Sequence, residues 1–220
     1  MHKGLVVTMK WVCSDIISAL GLDPKNYLFS NEPISRVATD SRDIRKGDIF
    51  FAIPGDNFDG HDFVSLALES GASVAVVMES SASRYDSETS QKLIVVKDTV
   101  ISLGQFATWW RTQLSCPVIS ITGSAGKTTT KEIARVLFSE IVGHGTASDK
   151  SLNNHLGLPL TILSADKADK WIILEAGMNH VGELSYLGDI AKPDFVLLTN
   201  VGLAHVGNFA SVGDVGDAKC

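Results

Sequence analysis

Short apolar runs and one amphipathic stretch dominate the pattern of hydrophobic and polar positions in the first hundred residues. The apolar runs have the length of buried strands and lie at 48–55 (DIFFAIPG), 73–77 (SVAVV) and 92–96 (KLIVV). The segment 61–71 instead places apolar residues at helical spacing and ends at Gly71, which favours a helix. The serine-rich segment 79–91 predicts a solvated surface loop.

A long amphipathic helix is predicted at 99–114, after these strands. Trp110 lies on its apolar stripe and Trp109 lies beside that stripe. We interpret the tryptophan pair as core and inter-domain packing rather than as a platform for ligand stacking. A domain boundary is expected near residue 98, which gives domains 1–98 and 99–220.

Strands and helices alternate strictly from residue 117 onward. The predicted strands are 117–122, 171–177 and 194–202, and the predicted helices are 127–141, 156–164 and 182–191. The helix 127–141 carries an apolar stripe of Ile133, Val136, Leu137 and Ile141. Nearly continuous apolar strands between amphipathic helices indicate an α/β fold whose parallel sheet is covered on both faces. Since a doubly wound sheet usually has five or more strands, we expect this second domain to be incomplete.

Composition and charge narrow the class of protein. A net charge of −6 gives no support for a nucleic-acid or membrane-surface partner, so any anionic ligand must be held by local positive groups. The cysteines Cys13, Cys116 and Cys220 form no C-x-x-C pair, which favours a reduced, cytoplasmic protein. No apolar run has the length of a membrane span or of a signal peptide.

The segment SITGSAGKTTTKE at 120–132 has the features of a phosphate-binding loop. Gly123 and Gly126 allow a tight turn, and backbone N–H groups of the turn and of the following helix would face an anion. Lys127 adds a positive charge, and Thr128 places a hydroxyl where Mg²⁺ usually binds. The common P-loop spacing requires glycine at position 121, which is isoleucine here, so the loop is a shorter variant.

This loop resembles the shortened P-loop of the Mur ligases, the ATP-dependent amide-forming enzymes of peptidoglycan precursor synthesis. The resemblance rests on the run TGSAGKTTTKE at 122–132, in which alanine stands where many family members have asparagine. It implies an ATP phosphate site formed by Gly123, Ser124, Ala125, Gly126, Lys127, Thr128 and Thr129. The substituted alanine leaves the backbone cradle intact.

Two further stretches resemble the MurF branch of the family. LNNHLGLPLTIL at 152–163 matches its N-N-x-x-G-x-P-L segment, which implies substrate contacts for Asn153 and Asn154, although alone the pair reads as a helix cap. EAGMNHVGEL at 175–184 places Glu175 at the end of a buried strand. With the P-loop present, a carboxylate at that position is expected to bind Mg²⁺ together with Thr128.

The C-terminal part of the chain carries two more matches. TNVGLAHVGNF at 199–209 places His205 where the family has a histidine that ligates Mg²⁺. DAKC at 217–220 places Lys219 at the position of a lysine that is thought to be carbamylated in relatives. Without the resemblance, His205 is more simply a loop histidine and Lys219 a frayed surface group.

The segment 38–63 resembles the uridine-nucleotide-binding N-terminal domain of MurE and MurF ligases. Ser41 and Arg42 match a D-S-R element, and Gly60 and His61 belong to a G-x-x-x-D-G-H-x-F element. From its residues alone the segment is a Gly/Asp-rich surface loop whose arginine has the geometry to hold a phosphate. The resemblance implies that these four residues contact a UDP-N-acetylmuramoyl-peptide.

Together the matches imply a small α/β UDP-sugar-binding domain followed by an incomplete parallel-sheet P-loop ATPase domain. The implied enzyme adds D-alanyl-D-alanine to UDP-N-acetylmuramoyl-tripeptide with ATP and Mg²⁺. Its catalytic residues would be Lys127, Glu175, His205 and Lys219, and the chain is expected to be a monomer. Because the match covers only the first half of a full ligase, we expect little or no activity from these 220 residues alone.

Two alternatives remain open from the sequence. The first is a non-catalytic chain that still binds a uridine nucleotide through residues 38–63. The second is another ligase of the same superfamily, MurE-like or similar to folylpolyglutamate synthetase. Binding of a folate in place of a UDP-sugar would favour the latter, and the D-S-R element argues against it.

Overall fold

The computed structural model describes residues 10–55, 57–149, 152–202 and 216. The chain divides into two compact units, Met1–Phe106 and Ala107–Cys220. Within the described residues, no helix combines the length and the apolar character that crossing a membrane requires. His205 and Lys219 lie outside the described residues.

The first unit contains six strands and three α-helices among its described residues. The strands are β1 (Trp11–Val12), β2 (Pro33–Ile34), β3 (Arg36–Ala38), β4 (Asp48–Phe51), β5 (Val74–Met78) and β6 (Leu93–Val96). The helices are α1 (Cys13–Ala19), α2 (Val64–Glu69) and α3 (Ser87–Ser90). Short 3₁₀ turns lie at Pro24–Asn26, Ser41–Asp43, Gly60–Phe63 and Glu79–Arg84.

The main sheet of the first unit has the order β3-β4-β5-β6, and all its neighbouring strands are parallel. Every residue of β4 is buried, because the strand lies inside the sheet and apolar side chains cover it. Phe50, Val64 and Val77 belong to the core on one side, where α2 packs. The strands β1 and β2 form a separate antiparallel pair.

The predicted strands of the first unit are found at the expected places, and the segment 79–91 is largely exposed, as expected of a surface connection. The prediction missed the local structure of this segment, which contains the 3₁₀ turn Glu79–Arg84 and the helix α3. The carboxylate of Asp86 accepts the Thr89 N–H at 2.7 Å and caps α3, while Ser81 is buried. The predicted helix at 61–71 begins as the 3₁₀ turn Gly60–Phe63 and continues as α2.

The helix α4 (Thr99–Gln113) contains the division between the two units, and the parallel α/β layer of the second unit follows it along the chain. Its strands are β7 (Val118–Thr122), β8 (Thr146–Ala147), β9 (Ile172–Glu175) and β10 (Phe195–Leu198). Its further helices are α5 (Lys127–Ile141), α6 (Gly157–Ser164) and α7 (Glu183–Ala191). The strand order is β10-β7-β9-β8, with parallel pairing throughout, which confirms the predicted α/β class. Trp110 is buried and donates its indole N–H to the Ala165 carbonyl at 3.1 Å, in agreement with a packing role.

The apolar stripe of α5 was predicted to pack against the sheet, but in the structure it faces away from the sheet. All four of its residues are exposed, from 50% for Val136 to 79% for Ile141. The inner face instead carries Phe138, which packs edge-on against Trp171 with ring centroids 5.9 Å apart, and the fully buried Lys131. The helix bounds are as predicted, because helical periodicity indicates an element without showing which side meets the sheet.

The strands at the margins of the second sheet also differ from expectation. The prediction missed β8, which has only two residues and therefore too little periodicity to be recognised. The four residues of β10 were expected to be buried, but all are exposed, with Phe195 at 64%. Among the described strands β10 pairs only with β7, so it forms the edge of the sheet.

Candidate functional site

The turn after β7 is built from two glycines in backbone conformations that other residues rarely adopt. Gly123 has φ 144° and Gly126 has φ 79°, and Gly126 is the N-cap of α5. A Cβ atom placed on Gly123 would overlap with Thr199 Oγ1. Glycine is therefore required at 123 by its conformation and by the segment that follows β10.

The first turn of α5 directly follows this phosphate loop and contributes to the same anion-binding surface. The initial N–H groups of a helix have no intrahelical acceptor, and the helix dipole adds partial positive charge, so Lys127, Thr128 and Thr129 start an anion-binding surface. The Lys127 ammonium donates to the Gly123 carbonyl at 2.8 Å. This contact keeps the positive charge directly over the loop.

A second segment, Thr199–Gly202, holds the loop from the neighbouring strand, and we name it the clasp. Asn200 accepts the Ser124 N–H on its backbone carbonyl at 3.1 Å and the Ala125 N–H on its side-chain oxygen at 2.9 Å. The hydroxyl of Thr199 donates to the Ala125 carbonyl at 2.6 Å. The N–H groups of Ser124 and Ala125 were expected to face a phosphate, but in the structure both donate hydrogen bonds to Asn200.

Sequence reasoning missed this role of the clasp. A Thr-Asn pair directly after an apolar strand was the available signal. Its meaning depends on β10 pairing with β7, because that pairing brings the ends of both strands together.

Glu175, at the end of β9, is where three of the predicted residues meet. Its Oε2 accepts the Thr128 hydroxyl at 2.9 Å, and its Oε1 accepts the Asn153 amide at 2.9 Å. Its own N–H donates to Ser148 Oγ at 3.1 Å, and the residue is only 1% exposed. The structure therefore brings Thr128 and Glu175 together, as the sequence predicts, and adds Asn153, for which a substrate contact was expected instead.

The donors around Glu175 fit a hard divalent cation. The described residues give its carboxylate only neutral hydrogen-bond partners, although a buried negative charge is costly without a compensating cation. The carboxylate and the Thr128 hydroxyl are oxygen ligands of the kind that Mg²⁺ prefers, and few of them are needed when phosphate oxygens and water complete the shell. The described residues contain no cluster of three or more His, Cys, Asp or Glu side chains suited to a metal.

Asn154 has a different local role from its neighbour. Its side-chain oxygen accepts the Leu156 and Gly157 N–H groups at 3.1 and 2.8 Å, at the start of α6. This is the helix-capping role that the two residues suggested without the family resemblance. Asn153 instead reaches Glu175 with its side chain and accepts the Gly177 N–H on its carbonyl at 2.8 Å.

A cavity of about 350 Å³ opens beside the phosphate loop. Its lining includes Lys127, Asn153, Asn154, Met178, Glu183 and Tyr186. The last three of these were not predicted. Burial raises the pKa of Glu183, but hydrogen bonds from the Asn179 N–H and the His180 ring outweigh it, so the pKa is lowered overall and the side chain is ionised at neutral pH.

The first unit has its own cavity, of about 490 Å³, at the predicted uridine-nucleotide site. The lining includes Ser41, Arg42, Phe58, Gly60, Phe63 and Leu66. Arg42 is 87% exposed and pairs with Asp40, with Nη2 and Oδ2 2.7 Å apart. Hydrogen bonds from Arg42 lower the pKa of Asp40 to about 2. Three of the four predicted residues therefore line one cavity.

His61 does not line that cavity, contrary to expectation. Its ring is buried, with Nδ1 2.6 Å from Asp59 Oδ1, and Nε2 accepts the Met78 N–H at 3.0 Å. Because both ring nitrogens are occupied inside the protein, the residue anchors the loop instead of contacting a ligand. Gly60 is also needed structurally, since a Cβ there would lie 2.6 Å from the Ile53 nitrogen.

Comparisons with known proteins match both units. The family model of the Mur ligase middle domain matches residues 121–220, and that of the Mur ligase family catalytic domain matches residues 33–110. A UDP-N-acetylmuramoyl-tripeptide--D-alanyl-D-alanine ligase from Synechocystis sp. is 38% identical over 187 residues, which are 85% of this chain and 40% of that protein.

Two solved structures have a similar fold. A MurF structure from Acinetobacter baumannii matches with a TM-score of 0.81 and 32% identity, covering 95% of this chain and 45% of that one. A MurF ligase from Thermotoga maritima, described in complex with ADP, matches with a TM-score of 0.71 and 32% identity over 84% of this chain and 42% of that one. The chain thus spans less than half the length of these relatives.

Proposed function

Because the chain belongs to the Mur ligase family, we propose that it provides the uridine-nucleotide-binding and ATP-binding parts of a MurF-type ligase. The reaction would join D-alanyl-D-alanine to UDP-N-acetylmuramoyl-tripeptide, the substrates in the name of the Synechocystis relative. The domain boundary near residue 98, the cytoplasmic location and the monomeric state belong to the same proposal.

The observation that carries this proposal is the meeting of the phosphate loop with Glu175. Thr128, at the start of α5, and Asn153, before α6, both donate to this buried carboxylate, each at 2.9 Å. The cavity beside them is also lined by Lys127. A phosphate chain held by the loop would therefore lie against a cation-binding carboxylate and an open space for an acceptor.

The proposed chemistry is a phosphoryl transfer followed by an acyl transfer. A terminal carboxylate oxygen of the UDP-linked peptide attacks the γ-phosphorus of ATP, the bond to the β-phosphate oxygen breaks, and ADP leaves. The dipeptide amine then attacks the carbonyl carbon of the acyl phosphate, and inorganic phosphate and a proton are released. Both steps depend mainly on positioning and on neutralising negative charge.

The residues of the chain have distinct tasks in this scheme. Lys127 and the first N–H groups of α5 hold the transferring phosphates, while Thr128 and Glu175 would hold Mg²⁺. The metal, when bound, neutralises charge that develops on the phosphate oxygens. We propose His205 as a further metal ligand and Lys219 as a further catalytic group, on the family resemblance alone.

The first unit would bind the uridine-nucleotide end of the acceptor. Its cavity combines an apolar lining from Phe58, Phe63 and Leu66 with the exposed guanidinium of Arg42. Apolar surface suits a base and a sugar ring, and an arginine fork suits a diphosphate. Ser41 lies at the same rim.

Calorimetry with the purified chain tests the proposal. We expect saturable binding of ADP with Mg²⁺ and, independently, of UDP-N-acetylmuramoyl-tripeptide. The Lys127→Met variant should weaken only the first ligand and Arg42→Ala only the second. Each variant therefore serves as the control for the other.

The alternatives give different outcomes in the same experiment. Binding of the UDP-peptide without any binding of ADP would identify a non-catalytic sugar-nucleotide protein, and binding of a folate in its place would identify a folate-type ligase. Phosphate release that requires both the UDP-peptide and D-alanyl-D-alanine would report the complete reaction. Failure to bind either nucleotide contradicts the proposal.

A further inference from the structure

Lys131 is a fully buried charged residue on the helix that begins the phosphate loop. Its side chain has no exposed area, whereas the branched apolar residues Ile133 and Leu137 of the same helix are more than half exposed. Burying an ammonium group removes it from water and is costly unless hydrogen bonds and counter-charges replace the lost hydration. The buried ammonium therefore requires hydrogen-bond acceptors inside the protein, and the structure provides them.

The ammonium of Lys131 reaches the end of a neighbouring strand. Its Nζ donates to the Ser148 carbonyl at 2.7 Å and lies 3.1 Å from Glu132 Oε1. Ser148 follows β8, is buried, and donates its own N–H to the Ile173 carbonyl of β9 at 3.0 Å. The lysine therefore ties α5 to the place where β8 ends.

Ser148 connects this tie to Glu175. The hydroxyl oxygen of Ser148 accepts the Glu175 N–H at 3.1 Å, and Glu175 accepts the Thr128 hydroxyl at 2.9 Å. Thr128 and Lys131 lie three positions apart on α5 and so occupy the same side of the helix. The four residues close a ring that runs from Lys131 through Ser148 and Glu175 to Thr128.

The hydrogen bond between Thr128 and Glu175 is the part of this ring that a bound cation would replace. In the proposed function the oxygens of Thr128 and Glu175 turn toward the metal, so the direct hydrogen bond between them is no longer available. The connection through Ser148 and Lys131 uses the Ser148 carbonyl and hydroxyl, the Glu175 N–H and the buried Lys131 ammonium, and a metal held by Thr128 and Glu175 displaces none of these groups. It is then the remaining hydrogen-bonded link in this ring between the phosphate-binding helix and the cation-binding carboxylate.

We propose that Lys131 is a positioning residue that holds Glu175 in register with Thr128 for binding of a divalent cation together with the nucleotide. The inference rests on the proposed function, because it requires that Thr128 and Glu175 share a cation. Lys131 itself touches neither the nucleotide nor the metal. Its effect is transmitted through Ser148.

The test compares nucleotide affinity with and without metal. A fluorescent ADP analogue is titrated into the chain in Mg²⁺ and in excess EDTA. The Kd in EDTA divided by the Kd in Mg²⁺ is the ratio that measures the metal contribution. We expect Lys131→Met to lower this ratio about 10-fold or more while the Kd in EDTA changes little, since residues that orient metal ligands typically change metal affinity 10- to 100-fold. Circular dichroism and thermal unfolding establish that each variant is folded.

Two companion variants sharpen the interpretation. Lys170→Met removes the same charge from an exposed lysine of the second unit and should leave the ratio unchanged. Ser148→Ala keeps the carbonyl that Lys131 binds but removes the acceptor of the Glu175 N–H, so it should lower the ratio as well. If the two residues act through one connection, the ratio for the double variant should be no lower than the ratio for Lys131→Met alone.

Each outcome supports or overturns the inference. An unchanged ratio in a folded Lys131→Met variant overturns it, and so does an equal loss of affinity with and without Mg²⁺, which would indicate a purely structural role. If Lys131→Met does not fold, the ratio for Ser148→Ala decides by the same criterion. A wild-type chain that binds ADP without any dependence on Mg²⁺ overturns the shared cation site of the proposed function and this inference with it.

Discussion

The two parallel sheets of the chain have the same number of described strands but bury them to different extents. In the first unit β4 is buried along its whole length, and the outer strand β6 is largely buried too. In the second unit the outer strand β10 exposes all four of its apolar residues. An apolar run thus predicts a strand in both sheets, while its burial depends on which elements cover it.

The cavities of the two units differ in a complementary way. Phe58, Phe63 and Leu66 give the first cavity an apolar lining with an arginine at its rim. The second is lined by lysine, asparagine and glutamate side chains beside a helix N-terminus. The first therefore suits the base and sugar of one nucleotide and the second the phosphates of a different nucleotide. A mutation in one cavity is accordingly expected to weaken binding of its own ligand and to leave the other ligand unaffected.

The largest effect is expected when the two sheets are compared by removing one aromatic ring from each. Phe50→Ala empties a buried site in β4 and should cost about 3–5 kcal/mol of unfolding free energy. Phe195→Ala, on the exposed strand β10, should cost less than about 1 kcal/mol. Urea unfolding followed by circular dichroism measures both, and equal losses would show that β10 is covered in solution.

A smaller but more selective effect is expected at the glycine turn of the phosphate loop in the second unit. Gly123→Ala should weaken ADP binding more than about 100-fold, because the added methyl group collides with Thr199 in a backbone conformation that alanine rarely adopts. Binding of the UDP-peptide should be retained. Gly188→Ala, in α7 with open space around it, is the matched control and should leave both affinities unchanged. Loss of both ligands in Gly123→Ala would argue against independent sites.

The clasp provides a third, moderate test of the second unit. Asn200→Ala removes the oxygen that accepts the Ala125 N–H and should weaken ADP binding about 10-fold, because the loop is less well ordered before binding. Calorimetry should show a less favourable binding entropy with little change in affinity for the UDP-peptide. An unchanged affinity would indicate that the loop keeps its conformation without Asn200.

The smallest effect is expected from the ion pair in the first unit. The Asp40 pKa is lowered from 3.8 to about 2, so its pairing with Arg42 stabilises the fold fully above pH 4 and ceases to do so as the pH falls toward 2. Asp40→Asn retains an acceptor for the Arg42 N–H but should abolish this component of the acid response. Because both side chains are largely exposed, the change will be close to the detection limit of urea titrations at pH 2, 3, 4 and 5. A large change would imply a buried role for the pair.

Local sequence patterns predicted most helices and strands of the chain, but they did not predict which side of an element is buried or which distant segments it contacts. The bounds of α5 follow from its periodicity and the glycine before it, but its orientation depends on Trp171 and on the polar contacts of Lys131. The meeting of Thr128 with Glu175 was predictable, because Thr128 follows β7 and Glu175 ends β9, and the carboxyl ends of parallel strands share one edge of the sheet. The clasp and the buried ring of His61 depend on contacts between segments distant in sequence, which no local pattern encodes.

The clasp also affects how a ligand would be captured. Asn200 gives two loop N–H groups the acceptors that an anion would otherwise offer, so the loop is shaped during folding rather than at the moment of binding. The entropy of ordering the loop is then lost once for each protein molecule and not again for each nucleotide bound. Association should accordingly be limited by diffusion and orientation, with no slow loop-closing step in stopped-flow traces.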